Sequence, residues 1–135
     1  MSHYTAIDTK IASADHLVSA LEDMGFDDVE VHEQPQPLRG WLGGDQGTRA
    51  HVIVRRSSIG LGSNDIGFLQ TGNGYFQAQV SDFDRTLFGN RWMNALTQRY
   101  AYHVAADLMA EQGFEAVDEA HESDGTIRLT LRRMR

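Results

Sequence analysis

The sequence predicts an α+β fold, a two-layer sandwich in which a mostly antiparallel sheet of about six or seven strands carries two helices on one face. Three observations predict it. Two segments, one near the start and one beginning at Asn90, repeat apolar residues at helical spacing and stop at a glycine (Gly25, Gly113). The segments between and after them alternate apolar and polar residues over short runs, as half-buried strands do. Turn pairs of hairpin type, Asn73-Gly74 and Asp124-Gly125, separate several of those runs. The expected order is β-α-β-β-β-β-α-β-β within one domain spanning 1–135.

Residues 3–9 alternate weakly and open the sheet. Ser13 is placed to cap the first helix, because its hydroxyl can accept an unpaired amide of the first turn. Leu17, Val18, Leu21 and Met24 form that helix's apolar face, and Gly25 stops it. From Phe26 to Glu33, Val29 and Val31 alternate with acids, the pattern of a half-exposed strand. The stretch 35–48, with Pro35, Pro37 and several glycines around Trp41, reads as a flexible loop. His51–Arg56 (HVIVRR) is a strand, and Asp65–Gln70 and Tyr75–Ser81 flank TGNG as a hairpin. Asn90 is expected to cap the long helix, which runs to Gln112. Phe114–Ala120 and Thr126–Leu131 are the last strands, the latter with Ile127, Leu129 and Leu131 inward. An internal echo relates Met24–Glu30 to Gln112–Asp118: in each a helix ends on glycine, a Phe follows and an acidic strand returns.

Composition excludes several classes. The chain has 41% hydrophobic and 23% charged residues, ordinary for a globular domain. No apolar run approaches membrane-spanning length, and the first residues have no apolar core or cleavage site of a signal peptide. With no cysteine there is neither disulfide nor thiolate metal ligand, which fits a cytoplasmic location. The net charge of −7 is carried by residues 1–34, where eight acids face one base, Lys10. That imbalance argues against nucleic acid as the main ligand, since phosphate binding needs clustered Lys and Arg. Arg128, Arg132, Arg133 and Arg135 make a small basic end, read as charge defending a strand edge, with a phosphate site as the alternative.

On the long helix, Met93, Leu96, Tyr100, Val104 and Leu108 share one stripe and form its expected core face. Arg99, His103 and Asp107 follow one another at intervals of four along its flank, so His103 can meet both neighbours. One reading is a site in which Asp107 orients His103 as a general base or proton relay beside Arg99. The other is a local ion-pair ladder at the helix–sheet margin. His3, which opens the first strand, Tyr102, read as surface or interface, and Trp41, in the glycine-rich loop, are candidate binding residues. None of the six histidines falls in a metal-ligating spacing, so no metal or cofactor is expected. The glycine-rich stretches 40–47 and 60–62 lack the partners that make a phosphate or dinucleotide loop. Asp82, Asp84 and Arg85 precede the long helix, where its dipole favours carboxylates.

Several motifs carry a likeness that runs nearly end to end. Met1-Ser2-His3-Tyr4, Asn64-Asp65-Ile66-Gly67-Phe68, Gln98-Arg99-Tyr100-Ala101-Tyr102-His103, Gln112-Gly113-Phe114 and Asp124–Leu129 resemble an uncharacterised family that includes hypothetical chloroplast reading frame thirty-five of plastids and cyanobacteria. The likeness is weakest across 35–48, and Leu69-Gln70 stands where the resemblance leads one to expect Arg-Trp. The resemblance brings no catalytic residues. It implies association with a protein partner, an AAA-type ATPase being the candidate, because the family's genes tend to lie beside one. The leading expectation is therefore a non-enzymatic binding or accessory protein of a cytoplasmic assembly. A small enzyme or ligand-binding protein using His103, Asp107 and Arg99 is the second, and a structural or capsid-type accessory protein the third.

Overall fold

The computed structural model describes residues 3–60 and 62–134. Seven strands and two α-helices follow one another as β1 (Tyr4–Asp8), α1 (Ala14–Asp23), β2 (Val29–Arg39), β3 (Asp45–Val54), β4 (Ile66–Gln70), β5 (Phe76–Ser81), α2 (Asn90–Glu111), β6 (Phe114–His121) and β7 (Ile127–Arg133). The element order and the α+β class are those expected from the sequence. The strands, however, divide into a five-stranded antiparallel sheet of order β1-β5-β4-β3-β2 and a separate β6-β7 hairpin.

Strand alternation decides what lies on each face. Val52 and Val54 of β3, Ile66 and Phe68 of β4, and Phe76, Ala78 and Val80 of β5 point to one side. There they pack against Leu17, Ala20 and Leu21 of α1 and Met93 and Leu96 of α2. Phe26, Phe88 and Trp92 close the end of this core, Trp92 edge-on to both Phe rings and its centroid 5.1 Å from that of Phe88. On the other side Leu38, Ala50 and Ile53 form a second, smaller core, joined by Tyr4. Gly67 faces this second core, where a Cβ would lie 2.5 Å from Ala50 Cβ and 2.8 Å from Leu38 Cδ2. Only a residue without a side chain lets the two strands and Leu38 close together there.

The helix ends follow the local signals. Ser13 caps α1, its Oγ accepting the His16 amide at 3.4 Å. At the other end Gly25 (φ +100°) lets the Phe26 amide reach back to Leu21 O at 3.1 Å and its own amide to Glu22 O at 3.0 Å, a Schellman turn that seats Phe26 in the core. Asn90 does not cap α2. It is already helical, and Gly89 occupies the cap position without a side-chain bond, in a site where a Cβ would lie 2.8 Å from Arg85 O.

The expected loop at 35–48 is mostly strand. β2 runs on to Arg39 and β3 starts at Asp45, leaving a tight turn at 40–44. Pro35 and Pro37 are tolerated because β2 is an edge strand with an irregular register between Val31 and Gln36, so their missing amides break few ladder bonds. A second correction concerns α2. At 22 residues it is about 33 Å long and outruns the sheet. Met93 and Leu96 are buried, but Tyr100 and Val104 are half-buried and Leu108 is 48% exposed. The stripe read as continuous core is core only in its first half.

The internal echo is real at the level of punctuation: both helices end on a glycine of positive φ followed by a Phe, which opens β6 directly but precedes β2 by three residues. It does not extend to the sheet, because β2-β3 joins it through β4 whereas β6-β7 stands apart.

Candidate functional site

The polar flank of α2 is the helix–helix seam. Asp23, in the last turn of α1, accepts from Arg99 Nε at 2.9 Å, Arg99 Nη2 at 2.6 Å and His103 Nε2 at 2.6 Å. Seven residues earlier His16 uses Nε2 to meet Asp107 Oδ2 at 2.6 Å and Nδ1 to meet Ser13 Oγ at 2.8 Å. Residue numbers rise along α2 as they fall along α1, so the helices are antiparallel. Seven and eight residues along the two helices span comparable rises of about 11 and 12 Å, so both ion pairs can form at once. At the start of α1 the Tyr100 hydroxyl accepts the Ala12 and Ser13 amides, each at 3.0 Å, and so completes the α1 cap from outside the helix.

Thus Arg99, His103 and Asp107 do not pair with one another as their spacing allowed. His103 is bound to Asp23, and Asp107 to His16. Four-residue neighbours on one helix are exposed on one side, and the opposing helix offers closer, more buried partners. Arg99 also reaches Glu119 of β6, which meets His121 Nε2 at 2.7 Å, so the cluster ties the hairpin to both helices. Tyr102 lies edge-on to His103 with centroids 5.0 Å apart, and the Arg99 guanidinium sits 4.5 Å above the Tyr102 ring.

The electrostatics follow the pairing. Partial burial works to raise the Asp23 carboxyl, but hydrogen bonds from Arg99 and His103 and their charges outweigh it and hold the group below the usual carboxylate range. Glu119 is lowered in the same way, desolvation opposing and Arg99 and His121 prevailing. Burial first, then the Glu119 charge, raises the Tyr102 hydroxyl.

The other named candidates are elsewhere. His3 is exposed, and its carbonyl accepts the Asp82 amide at 2.8 Å. Trp41 tops the β2-β3 turn, 54% exposed. The structure does not bring His3, Trp41 and the helical cluster together. Among the described residues no group of three or more His, Asp or Glu is placed to hold a metal ion. At the basic end, Arg128 pairs with Glu122, Arg132 with Glu115, and Arg133 lies over the Phe114 ring; Arg135 is outside the described residues.

Sequence reasoning missed a buried polar clamp at Asn64-Asp65. The Asp65 carboxylate, 1% exposed, accepts the Arg39 amide (2.8 Å), the Arg56 amide (2.7 Å) and Arg55 Nη1 (2.7 Å). Asn64 accepts the Trp41 amide at 3.0 Å and donates to Asp84 Oδ2 through its backbone and to Ser81 Oγ through Nδ2, both at 3.0 Å. Ser81 Oγ in turn donates to Asp84 Oδ2 at 2.6 Å. Asp84 is therefore a buried acceptor rather than an exposed carboxylate drawn to a helix dipole. Arg55 continues the network to Glu30, whose carboxyl it lowers, and Tyr4 donates to Asp65 O at 2.7 Å. An Asn-Asp pair before a strand was the available signal, since both side chains readily bind loop backbone.

The fold and these networks define a small α+β protein whose motif residues hold its elements together. The chain belongs to the family described as a protein of unknown function (DUF1257), whose model matches residues 20–130. It is similar to the uncharacterized protein ycf35 of Guillardia theta, 29% identical over 136 residues covering 100% of this chain and 99% of the relative. The ycf35 proteins of Cyanophora paradoxa and Pyropia yezoensis are each 26% identical, over 100% and 98% of this chain and 99% and 98% of theirs. No solved structure matches. No helix among the described residues is long and apolar enough to cross a membrane.

Proposed function

We propose that this chain is a non-enzymatic binding or accessory protein of a cytoplasmic assembly, with an AAA-type ATPase as the candidate partner. The observation that supports it is the use to which the most chemistry-like side chains are put. Arg99, His103 and Asp107 are each bonded to a residue of another element and act as cross-braces between α1, α2 and β6. A general base needs its proton-accepting nitrogen turned to a substrate, whereas His103 Nε2 and His16 Nε2 are turned to carboxylates of the protein itself. The ATPase and the cytoplasm enter from the family resemblance and the cysteine-free composition.

The test is affinity purification of the chain from its native host followed by mass spectrometry. The expected result is a protein recovered in near-stoichiometric amount; a free monomer in the native lysate would sink the reading. His103→Ala separates it from the enzymatic alternative. As a brace, its loss lowers the melting temperature; loss of function at unchanged melting temperature would favour a catalytic histidine.

A further inference from the structure

The three most exposed large apolar side chains, Leu42, Leu87 and Phe83, lie together with Trp41 and with arginines that have no carboxylate partner. Trp41 (54% exposed) and Leu42 (79%) crown the 40–44 turn, and Phe83 (67%) and Leu87 (74%) stand on the 82–89 loop. Trp41 and Phe83 face each other across Gly62 and Asn64, lining a hollow of about 330 Å³. Leu87 and Trp92 line a neighbouring hollow with Arg85 and Arg91. Among the described residues, Arg49, Arg55, Arg99, Arg128 and Arg132 have carboxylate partners, and Lys10 and Arg133 lie over aromatic rings. The remaining described arginines, Arg39, Arg56, Arg85 and Arg91, have neither a salt bridge nor a ring contact, and all four lie beside this surface. Arg39 bonds Gly43 O of the turn, Arg39 and Arg56 are anchored by their amides to Asp65, and Arg85 and Arg91 flank Leu87.

The clamp explains how such side chains can be held out in water. Asn64 fixes the Trp41 amide on one side and Asp84, beside Phe83, on the other, with Ser81 completing the set, all buried. Two loops are thus fixed before any partner arrives, which lowers the ordering cost of binding. A Trp lining one hollow and arginines lining the next are residue types enriched in interface hot spots.

We propose that the 40–44 turn and the 82–89 loop form a docking site for an acidic protein segment that inserts a bulky apolar side chain between Trp41 and Phe83. The proposal rests on the accessory-protein reading and names its surface. Charge complementarity selects the occupant. Four guanidiniums without a carboxylate partner attract carboxylates within a Debye length of about 8 Å, whereas a long polyanion also meets the net charge of −7. Leu42 and Leu87, the most exposed of the four, suit an apolar side chain, while the rings of Trp41 and Phe83 offer faces for base stacking, which makes a single-stranded oligonucleotide the competitor in the test. The chain's own acidic turn does not supply the segment to a second copy, because Phe26, beside Asp27 and Asp28, is buried in the core.

The test pans a random peptide library displayed on phage against the full chain, followed by anisotropy titration of the enriched peptides. Enrichment of sequences joining Asp or Glu to Leu, Phe or Trp is expected, with binding at least about tenfold weaker for W41A/F83A and for R85E/R91E. Those side chains are exposed, so both variants should melt with the wild type. Enrichment of neutral or basic peptides, patch-independent binding, tighter binding of a single-stranded oligonucleotide, or a dimer dissolved by W41A/F83A would each overturn it. A native partner retained equally by W41A/F83A overturns the surface and leaves the accessory reading standing. Absence of any partner from the wild type overturns both.

Discussion

Asp23 and His103, 80 residues apart in sequence, are joined at 2.6 Å between Oδ2 and Nε2, and the same oxygen accepts from Arg99. One carboxylate therefore closes the seam between α1 and α2. Asp23→Asn keeps the shape and removes the charge. We expect a loss of about 1 kcal/mol at neutral pH, discounted for the partial exposure of the pair and read from the denaturant midpoint. Because the folded-state carboxyl is held below its ordinary value, the unfolded chain takes up this proton first as pH falls. The contribution is complete above the ordinary carboxylate value of about 4 and disappears as pH drops through the lower folded-state value. An equal gap between wild type and Asp23→Asn at about pH 2.5 and about pH 7 would refute this assignment.

Asp65 is the most consequential polar residue outside the seam. Asp65→Ala removes the buried carboxylate from Arg55, which keeps Glu30, and leaves the Arg39 and Arg56 amides without their acceptor. A loss of about 3–5 kcal/mol is expected, measured by chemical denaturation. A loss of under about 1 kcal/mol would mean that water replaces the carboxylate readily.

Gly67→Ala tests packing on the second face. The added methyl meets Ala50 Cβ and Leu38 well inside contact distance. A destabilisation of about 1–3 kcal/mol is expected. The double variant Gly67→Ala with Leu38→Ala should show a non-additive recovery if crowding is the cause.

Tyr100→Phe removes the hydroxyl that accepts the Ala12 and Ser13 amides and leaves the ring in place. We expect a cost of about 1 kcal/mol and faster hydrogen exchange at those two amides, with Leu17 and later amides of α1 unaffected. Unchanged exchange at Ala12 and Ser13 would show that the hydroxyl does not cap the helix.

Much of the fold was legible because its signals are local. Ser13, Gly25 and Gly113 mark helix ends through backbone chemistry that acts within a few residues, and the alternation in β3 to β5 follows from one face being buried. What was not legible depends on distant partners. Pro35 and Pro37 read as a break because nothing in their neighbourhood shows that β2 is an edge. Leu108 read as core because periodicity fixes a face but not how far the sheet extends beneath it. The contrast is measurable: Leu96→Ala should cost about 2–5 kcal/mol, and Leu108→Ala about 0.5 kcal/mol or less. At the site, the four-residue spacing of Arg99, His103 and Asp107 was visible, but their partners Asp23 and His16 belong to the other helix. The matching seven-residue spacing on α1 was present in the sequence and acquires meaning only once the helices are known to run antiparallel.

The separation of β6-β7 from the main sheet makes the protein mechanically two-tiered. The hairpin is attached through α2, against which β6 packs, and the Arg99–Glu119 pair. Its amides can exchange through a local opening that leaves the five-stranded sheet intact, at a free-energy cost below that of global unfolding. Native-state hydrogen exchange should resolve β6 and β7 as an early-opening unit, with Arg99→Ala lowering its protection while β3 and β4 keep theirs. Identical opening energies in the hairpin and the sheet would show a single cooperative unit instead.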